Sequence, residues 1–376
     1  MKYYIIAGEA SGDLHGSNLM KALKRKDSDA SFRFWGGDLM AESGGKPVKH
    51  YRDLAFMGFV EVIQNLRTIL KNIAFCKKDI HEYQPDVLIL IDYPGFNLRI
   101  ATAAKKMGIR VFYYISPSIW AWKQSRVHHI KRVVDRMFVI LPFEKDFYKK
   151  FDCDVDYVGH PLLDAIETRD HSADNNQQLK SELNLDDRPI VLLLPGSRKQ
   201  EINAILPIML EQVNHFKDFQ FVIAAAPSLG IEIFNEAIHD YPDVKIIPNR
   251  TYDLLQLASV ALVTSGTATL ETALFRVPQV VCYKGSYISY QIAKRLIKVK
   301  YISLVNLIMN REVVKELIQD NLNEKLLKDE LGKLLFDEEY RNEMQATFDS
   351  LIEKLGDGGA SQRLAQLMID YLSKDN

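Results

Sequence analysis

The chain has 376 residues, a formal net charge of −1, 47% hydrophobic residues and 26% charged residues. This length predicts two domains, because a single hydrophobic core rarely grows beyond about 250–300 residues. The balanced charge excludes a global attraction to nucleic acid, and the three separated cysteines exclude a disulfide framework or a cysteine zinc site. With no export signal and no apolar run of about 18 residues, we expect a cytoplasmic protein.

The first half of the chain alternates between predicted strands and helices. Short apolar runs rich in Val, Ile and Tyr predict strands at 3–7, 87–91, 111–115, 137–141 and 155–158, and helical spacing predicts helices at 14–24 and 98–106. Strands that are apolar on both faces are typical of a parallel sheet covered by helices. The pattern predicts a doubly wound, Rossmann-like α/β domain over residues 1–168.

The polar stretch 168–179 is predicted to be a linker, after which the alternation resumes. Strands are predicted at 189–194, 221–226, 244–247, 260–264 and 279–283, with helices at 202–216 and 267–275. We therefore expect a second Rossmann-like domain over 181–355 and an interdomain cleft. Beyond residue 313 we expect helices only, the last of which, 360–372, packs back on the first domain.

The motif GEASGDLHG, residues 8–16, directly follows the first predicted strand. Its spacing matches neither the dinucleotide-binding fingerprint nor a P-loop. The carboxylates of Glu9 and Asp13 and the hydroxyl of Ser11 suit sugar hydroxyls better than phosphates, because carboxylates accept hydrogen bonds and repel anions. An ordinary helix start, capped by Ser11 or Asp13, explains the motif equally well.

Asp92, in the motif IDYPGFN, stands at the end of an apolar strand. A lone carboxylate is costly to bury there and usually faces a cleft, which makes Asp92 the best candidate for a general base. The alternative is that Asp92 caps the helix that begins near Phe96.

Two motifs in the second half, LPGSRKQEI and TSGTATLE, each follow a buried strand and begin a helix. Helix N-termini offer N–H groups and a positive dipole end to phosphate, so the pair predicts a nucleotide diphosphate site, although each motif alone fits a turn and a cap. A carboxylate in the second helix would accept ribose hydroxyls. The candidate nucleotide-binding residues are Gly196, Ser197, Arg198, Ser265, Gly266, Thr267 and Glu271.

Three further segments carry weaker patterns. The apolar stripe in 56–78 predicts a core helix, and its start could contact lipid through Phe56, Met57, Phe59 and Val60. The segment SPSIWAWKQSRVHHIKRVVDR, residues 116–136, joins two tryptophans to five basic residues, which suits an anionic lipid or sugar phosphate or an ordinary solvated helix face. The DxDxD pattern at 152–156 has the period of an exposed strand, so no metal site is assigned, and His15 and His160 are taken as isolated.

The motifs AGEASGDLHG, FMGFVEV, SPSIWAWKQSRV, LPFEKDFY, VGHP, LPGSR, SGTATLE and YISLVNLI occur in an order and at spacings that resemble the lipid-A-disaccharide synthase family, over nearly the whole chain. The resemblance implies an inverting hexosyltransferase of the GT-B class in lipid A and lipopolysaccharide biosynthesis. It implies UDP-2,3-diacylglucosamine and 2,3-diacylglucosamine 1-phosphate as substrates, joined through the 6-hydroxyl of the latter. It also implies no cofactor, and a peripheral position on the inner face of the inner membrane.

Residue by residue, the resemblance implies roles in activity for Glu9, Ser11 and Asp92, and donor binding by Arg198 and by Asn306 of the SLPNL-like segment. This chain has Val305 where that segment commonly has proline, and Gly95 where the family commonly has an acidic residue. The second difference removes a carboxylate, so Asp92 is the principal candidate base. A UDP-sugar 2-epimerase and a non-catalytic carrier remain alternatives, and the sequence leaves a homodimer open.

Overall fold

The computed structural model describes residues 1–53, 65–166, 172–226, 230–286, 290–291, 295 and 299–374. The chain divides into two compact units. The first unit contains Met1–Asp164 together with Leu355–Asn376, and the second contains Ala165–Lys354.

The first unit is built on a parallel sheet of seven strands in the order β3-β2-β1-β4-β5-β6-β7. Its strands are β1 (Lys2–Ala7), β2 (Ser31–Gly36), β3 (Lys46–His50), β4 (Val87–Ile91), β5 (Arg110–Tyr114), β6 (Arg136–Val139) and β7 (Asp156–Tyr157). All five residues of β4 are buried. Its apolar side chains alternate between the two faces of the sheet, and helices cover both faces, as the continuous apolar pattern predicts.

Helices connect these strands and cover the sheet. They are α1 (Ala10–Lys26), α2 (Asp38–Glu42), α3 (Leu66–Tyr83), α4 (Pro94–Lys106), α5 (Ile119–Trp122), α6 (Val127–Val133), α7 (Pro142–Lys149) and α8 (Pro161–Ile166). Helix α1 ends in three basic residues, Lys24 to Lys26, which interact favourably with the negative end of the helix dipole.

The second unit is built on a parallel sheet of six strands in the order β10-β9-β8-β11-β12-β13. Its strands are β8 (Ile190–Leu194), β9 (Gln220–Ala225), β10 (Lys245–Pro248), β11 (Ala258–Thr264), β12 (Gln279–Tyr283) and β13 (Lys315–Ile318). Its helices are α9 (Ala173–Glu182), α10 (Lys199–Glu211), α11 (Glu232–Ala237), α12 (Thr251–Leu257), α13 (Thr267–Leu274), α14 (Leu304–Met309), α15 (Glu324–Phe336) and α16 (Glu338–Leu355). The two sheets confirm the predicted α/β class.

The chain's last helix, α17 (Ala360–Lys374), belongs to the first unit and packs against α1. Leu364, Met368 and Leu372 of α17 join Leu19 and Leu23 of α1 in one buried cluster. Each fully buried leucine contributes about 1.5–3 kcal/mol of transfer free energy. The apolar face of α17 therefore completes the core of the first unit.

Both sheets have a point at which the strand order reverses. In the first sheet this point lies between β1 and β4, and in the second between β8 and β11. Open parallel sheets bind ligands beyond the carboxyl ends of the two strands at such a point. The motifs singled out in the sequence follow these four strands.

Several elements differ from those expected. Strands β2 and β3 were not predicted, and the expectation of helices alone beyond residue 313 is wrong, since β13 pairs with β12. The stretch 168–179 is not simply a linker, because α9 begins at Ala173 with Ser172 as its N-cap. Among the described residues, no helix combines the length and the apolar character that a bilayer-spanning segment requires.

The start of α17 depends on one carboxylate. Asp164 accepts hydrogen bonds from the backbone N–H groups of Gly359, Ala360 and Ser361 at 2.6, 3.1 and 3.3 Å. We expect Asp164→Ala to destabilise the first unit by about 1–2 kcal/mol, the usual cost of losing such a cap. Urea unfolding measures this, with exposed Asp357→Ala as the control; equal stability of the two variants would contradict the cap.

Candidate functional site

The turns after β1 and β4 lie side by side in the first unit. Ala7 and Ile91, the last residues of these strands, are paired in register. Glu9 is the N-cap residue of α1 in an extended conformation. Asp92 and Tyr93 follow with φ values of 43° and 47°, a left-handed conformation that costs free energy for residues other than glycine. Strained residues of this kind are often found at functional turns.

The backbone of Asp92 is fixed by three hydrogen bonds. Its N–H donates to Tyr114 O at 3.1 Å. Its carbonyl oxygen accepts from Asn97 Nδ2 at 2.7 Å and from the hydroxyl of Tyr113 at 2.5 Å. Helix α4 has Tyr93 as its N-cap residue and no side-chain cap, so the Asp92 carboxylate does not cap that helix.

The Asp92 carboxyl has a perturbed acidity. Its pKa is raised from 3.8 to about 7, mainly by burial and secondly by the charge of Glu9, while a hydrogen bond with the backbone of Tyr93 partly offsets both effects. A carboxylate with a pKa near neutrality has the basicity that suits proton abstraction at physiological pH. Asp92 and Glu9 are therefore close enough for the charge of one to affect the acidity of the other.

Gly8 leaves room for this turn. A Cβ added at Gly8 would lie 2.4 Å from Cγ of the Tyr93 ring. The ring of Tyr93 also stacks on Phe96, with centroids 5.7 Å apart. The first glycine of the motif therefore lets the aromatic ring pack directly against the backbone between β1 and α1.

Asp13 has a structural role that differs from the expected ones. It is buried, and its carboxylate accepts from the N–H groups of Gly37, Leu39 and Met40 at 2.6, 3.1 and 3.1 Å. It thus caps α2, not its own helix. Ser11 lies exposed in the first turn of α1, where it is accessible to a ligand.

His15 and His160, taken as isolated in the sequence, are close together in the structure. Burial lowers their pKa values to about 4 and about 3, and the charge of His15 is a second cause for His160. His160 Nδ1 accepts from Leu162 N–H at 3.3 Å, and the His15 ring meets that of Tyr114 edge-on. Two imidazoles that are neutral at neutral pH therefore lie close together, and that of His15 contacts Tyr114 at the end of β5.

In the second unit, the turn after β8 carries Gly196, Ser197 and Arg198, and Arg198 is the N-cap residue of α10. Gly196 has φ 113°, and a Cβ there would lie 2.6 Å from Glu201 Oε2. Arg198 Nη1 donates to Glu201 Oε1 at 2.7 Å, with the guanidinium side chain 58% exposed. Such exposed pairs are weak, so Arg198 can exchange this partner for an anion at little cost.

The neighbouring turn after β11 carries Ser265, Gly266 and Thr267. Gly266 is the N-cap residue of α13 with φ 148°, and a Cβ there would meet open space. Neither N-cap residue, Arg198 in α10 or Gly266 in α13, makes a side-chain cap hydrogen bond. The first N–H groups of a helix lack intrahelical acceptors, which makes these two adjacent turns suitable for phosphate oxygens.

Glu271 lies in α13 and is partly enclosed. Burial raises the pKa of its carboxyl, and a hydrogen bond from the hydroxyl of Tyr252 at 3.2 Å partly offsets this. Its second carboxylate oxygen can accept a hydrogen bond from a hydroxyl group, as a contact with ribose requires.

Asn306 has its amide engaged within the protein. It is fully buried, its Oδ1 accepts from the N–H groups of Val313 and Val314, and its Nδ2 donates to Val314 O and Glu316 Oε1. This satisfies both ends of the amide, so Asn306 supports the α14 loop from within. Sequence reasoning missed Glu316, because its partners lie 10–14 residues away.

The expected lipid-contacting residues Phe56, Met57, Phe59 and Val60 lie outside the described residues. Helix α3, which follows them, matches the expected core helix only in part: Ile73 of the predicted stripe is buried, whereas Leu66 and Leu70 are 47% and 53% exposed. Trp122 is also exposed, with the Arg126 guanidinium 5.1 Å from its ring centre. Within the described part of the chain, no group of three or more His, Cys, Asp or Glu side chains is placed to hold a metal ion.

Solved structures of similar fold include the UDP-GlcNAc 2-epimerase from Neisseria meningitidis bound to UDP-GlcNAc, with a TM-score of 0.72 and 14% identity over 98% of this chain and 100% of that chain. A glycosyltransferase from Rickettsia africae has a TM-score of 0.60 and 12% identity over 100% of this chain and 99% of that one. At these identities the likeness concerns the fold alone, and it agrees with the predicted GT-B architecture.

Sequence relatives are much closer. The lipid-A-disaccharide synthase of Trichlorobacter lovleyi is 40% identical over 98% of this chain and 97% of that protein, and the synthase of Geobacter sulfurreducens is 39% identical over 98% and 97%. The model of the lipid-A-disaccharide synthetase family matches residues 3–368. The chain, with its paired turns at the two strand-order reversals, therefore belongs to the lipid-A-disaccharide synthetase family.

Proposed function

We propose that this protein transfers a 2,3-diacylglucosamine unit from UDP to the 6-hydroxyl of 2,3-diacylglucosamine 1-phosphate. The products are a β-1,6-linked disaccharide 1-phosphate and UDP. The observation that carries the proposal is the Asp92 carboxyl, whose pKa is about 7 beside Glu9, in a member of a family named for this synthesis.

Asp92 acts as the general base. Its carboxylate accepts the proton of the 6-hydroxyl while that oxygen forms a bond to the anomeric carbon of the donor. The bond between the anomeric carbon and the UDP oxygen breaks, and UDP leaves with the electron pair. Attack opposite the leaving group converts the α linkage into a β linkage. Glu9 and Ser11 bind acceptor hydroxyls, since Glu9 is half-buried and Ser11 exposed at the start of α1.

The second unit holds the donor nucleotide. The diphosphate binds the N–H groups of the turns at Gly196–Ser197 and Ser265–Gly266–Thr267, and Arg198 exchanges Glu201 for a phosphate oxygen. Fixed N–H dipoles and a guanidinium stabilise the charge that develops on the leaving group. The Glu271 carboxylate accepts hydrogen bonds from the ribose hydroxyls. Its burial supports this role, because a ribose hydroxyl can take the place of the water that the carboxylate loses on burial.

The protein works at the cytoplasmic face of the inner membrane as a peripheral protein. The exposed side chains Leu66 and Leu70, one helical turn apart on α3, support this, because Arg67 and Lys71 stand beside them. An apolar and basic helix face suits the acyl chains and the anionic headgroups of a bilayer. The segment containing Phe56, Met57, Phe59 and Val60 directly precedes this face in the chain.

A direct test measures UDP release from UDP-2,3-diacylglucosamine with and without the monosaccharide 1-phosphate. We expect release only when both are present, because the acceptor hydroxyl is the nucleophile. Conversion of the donor alone into an epimer would favour an epimerase, and binding without turnover would favour a carrier. Either result would refute the proposed transfer.

The pH dependence tests the base. We expect kcat/KM to rise about tenfold per pH unit up to about pH 7 and then to level, because Asp92 must be ionised to accept the proton. Glu9→Gln should move this limb to lower pH, since it removes a charge that raises the Asp92 pKa. Glu42→Gln, an exposed change on α2, should leave the limb in place.

Asp92→Asn completes this test. It should lower turnover about 10²–10⁴-fold while the protein stays folded. Above pH 7 its stability should equal or exceed that of the wild type, because a carboxyl whose pKa is raised on folding costs stability as pH rises through that range. Wild-type turnover in this variant would contradict the assignment.

Vesicle binding tests the membrane surface. We expect Leu66→Ser/Leu70→Ser to lower the partition coefficient on phosphatidylglycerol vesicles by about tenfold or more, because two exposed leucines lose their apolar contact. Leu39→Ser, which alters an exposed leucine on α2, is the matched control. Sedimentation with vesicles measures both, and unchanged binding of the double variant would locate the contact elsewhere.

A further inference from the structure

Glu316, on the edge strand β13, joins several groups at the start of α14. Its Oε1 accepts from Ser303 N at 2.9 Å, from Ser303 Oγ at 2.8 Å and from Asn306 Nδ2 at 2.9 Å. Its Oε2 accepts from Ile302 N at 3.0 Å. One carboxylate therefore fixes three consecutive parts of this loop: Ile302, the N-cap residue Ser303 and the first turn of the helix.

The loop fixed by Glu316 is in turn bonded to the turn after β11. Ile302 O accepts from Ser265 Oγ at 3.0 Å. On the other side of Ser303, Leu304 N donates to Thr269 Oγ1 at 3.3 Å, and the same hydroxyl donates to Gly266 O at 2.8 Å. Two short hydrogen-bond paths thus run from Glu316 to Ser265 and to Gly266.

We propose that Glu316 is a positioning residue for the nucleotide: through the 302–304 segment it sets the direction of the N–H groups at Ser265, Gly266 and Thr267. The inference rests on the proposed function, since it takes this turn as part of the diphosphate site. Gly266 has φ 148° and no neighbour around its Cβ position, so packing on that side does not hold the turn. Hydrogen bonds from the 302–304 segment supply the restraint instead.

Asn306 belongs to the same arrangement. It holds Glu316 Oε1 with its Nδ2 and the backbone of Val313 and Val314 with its Oδ1. A change at Asn306 would therefore affect donor binding by releasing Glu316, without any direct contact between the amide and UDP.

The test compares UDP binding by Glu316→Gln, Glu312→Gln and the wild type, using titration calorimetry on the full chain. Glutamine keeps the size of the side chain, but in either orientation of its amide the NH₂ group replaces an accepting oxygen and faces a donor. We expect a Kd for UDP about tenfold higher, the effect of about one lost buried hydrogen bond. The KM for the acceptor should not change. Glu312, exposed and paired with Lys315, should show no effect.

A second pair of variants covers the case in which Glu316→Gln does not fold. Thr269→Val is nearly isosteric but removes the acceptor of Leu304 N and the donor to Gly266 O, whereas Thr269→Ser keeps both. We expect Thr269→Val to weaken UDP binding about tenfold and Thr269→Ser to bind like the wild type.

The outcomes are distinguishable. A Kd within about twofold of the wild type in folded Glu316→Gln and Thr269→Val would overturn the positioning role, even if their melting temperatures fall. Transferase activity of the wild type would then leave the proposed function intact. Failure of the wild type to bind UDP at all would instead refute the donor site, and the positioning role with it.

Discussion

The reversal of strand order in each parallel sheet is the constraint on which the site depends. Right-handed crossovers send the chain to opposite faces of the sheet at this point, so no connection crosses over the turns that follow the two central strands. In the first unit these turns carry Glu9 and Asp92, and in the second they carry Arg198 and Gly266. Polar backbone and acidic side chains can face a ligand there without entering the core.

The turn after β4 shows how the fold maintains an unfavourable arrangement. Two consecutive left-handed residues and a carboxylate that is costly to ionise lie together at Asp92 and Tyr93. Their free-energy cost is offset by bonds from Asn97 and Tyr113 to one carbonyl and by the packing of the Tyr93 ring on Gly8. Strained conformations that the surrounding structure offsets in this way are typical of functional positions, where the local geometry is required for activity and lowers stability.

The central strands could be predicted from sequence because their residues are apolar on both faces. The elements that were missed lack this pattern: β3 contains a proline and two lysines, β13 is a half-buried edge strand, and α9 is mostly polar. The position of Asp92 at a strand end was visible in the motif. The roles of Asp13 and Asn306 were not, because their partners are fixed by tertiary structure: Asp13 bonds to residues 24–27 positions away.

The acidic residues of the candidate site and of the loops that support it fall into two groups according to the donors around them. Asp13 and Glu316 each accept at least three hydrogen bonds from the protein itself, so their oxygens are occupied by the fold. Asp92 and Glu271 lie in enclosed surroundings with few donors to their carboxyl groups, and burial raises the pKa of both. Desolvation without compensating hydrogen-bond donors keeps a carboxylate basic, so that it can accept a hydrogen bond or a proton from a hydroxyl group. Donor count therefore separates the carboxylates that build the turns from those suited to substrate.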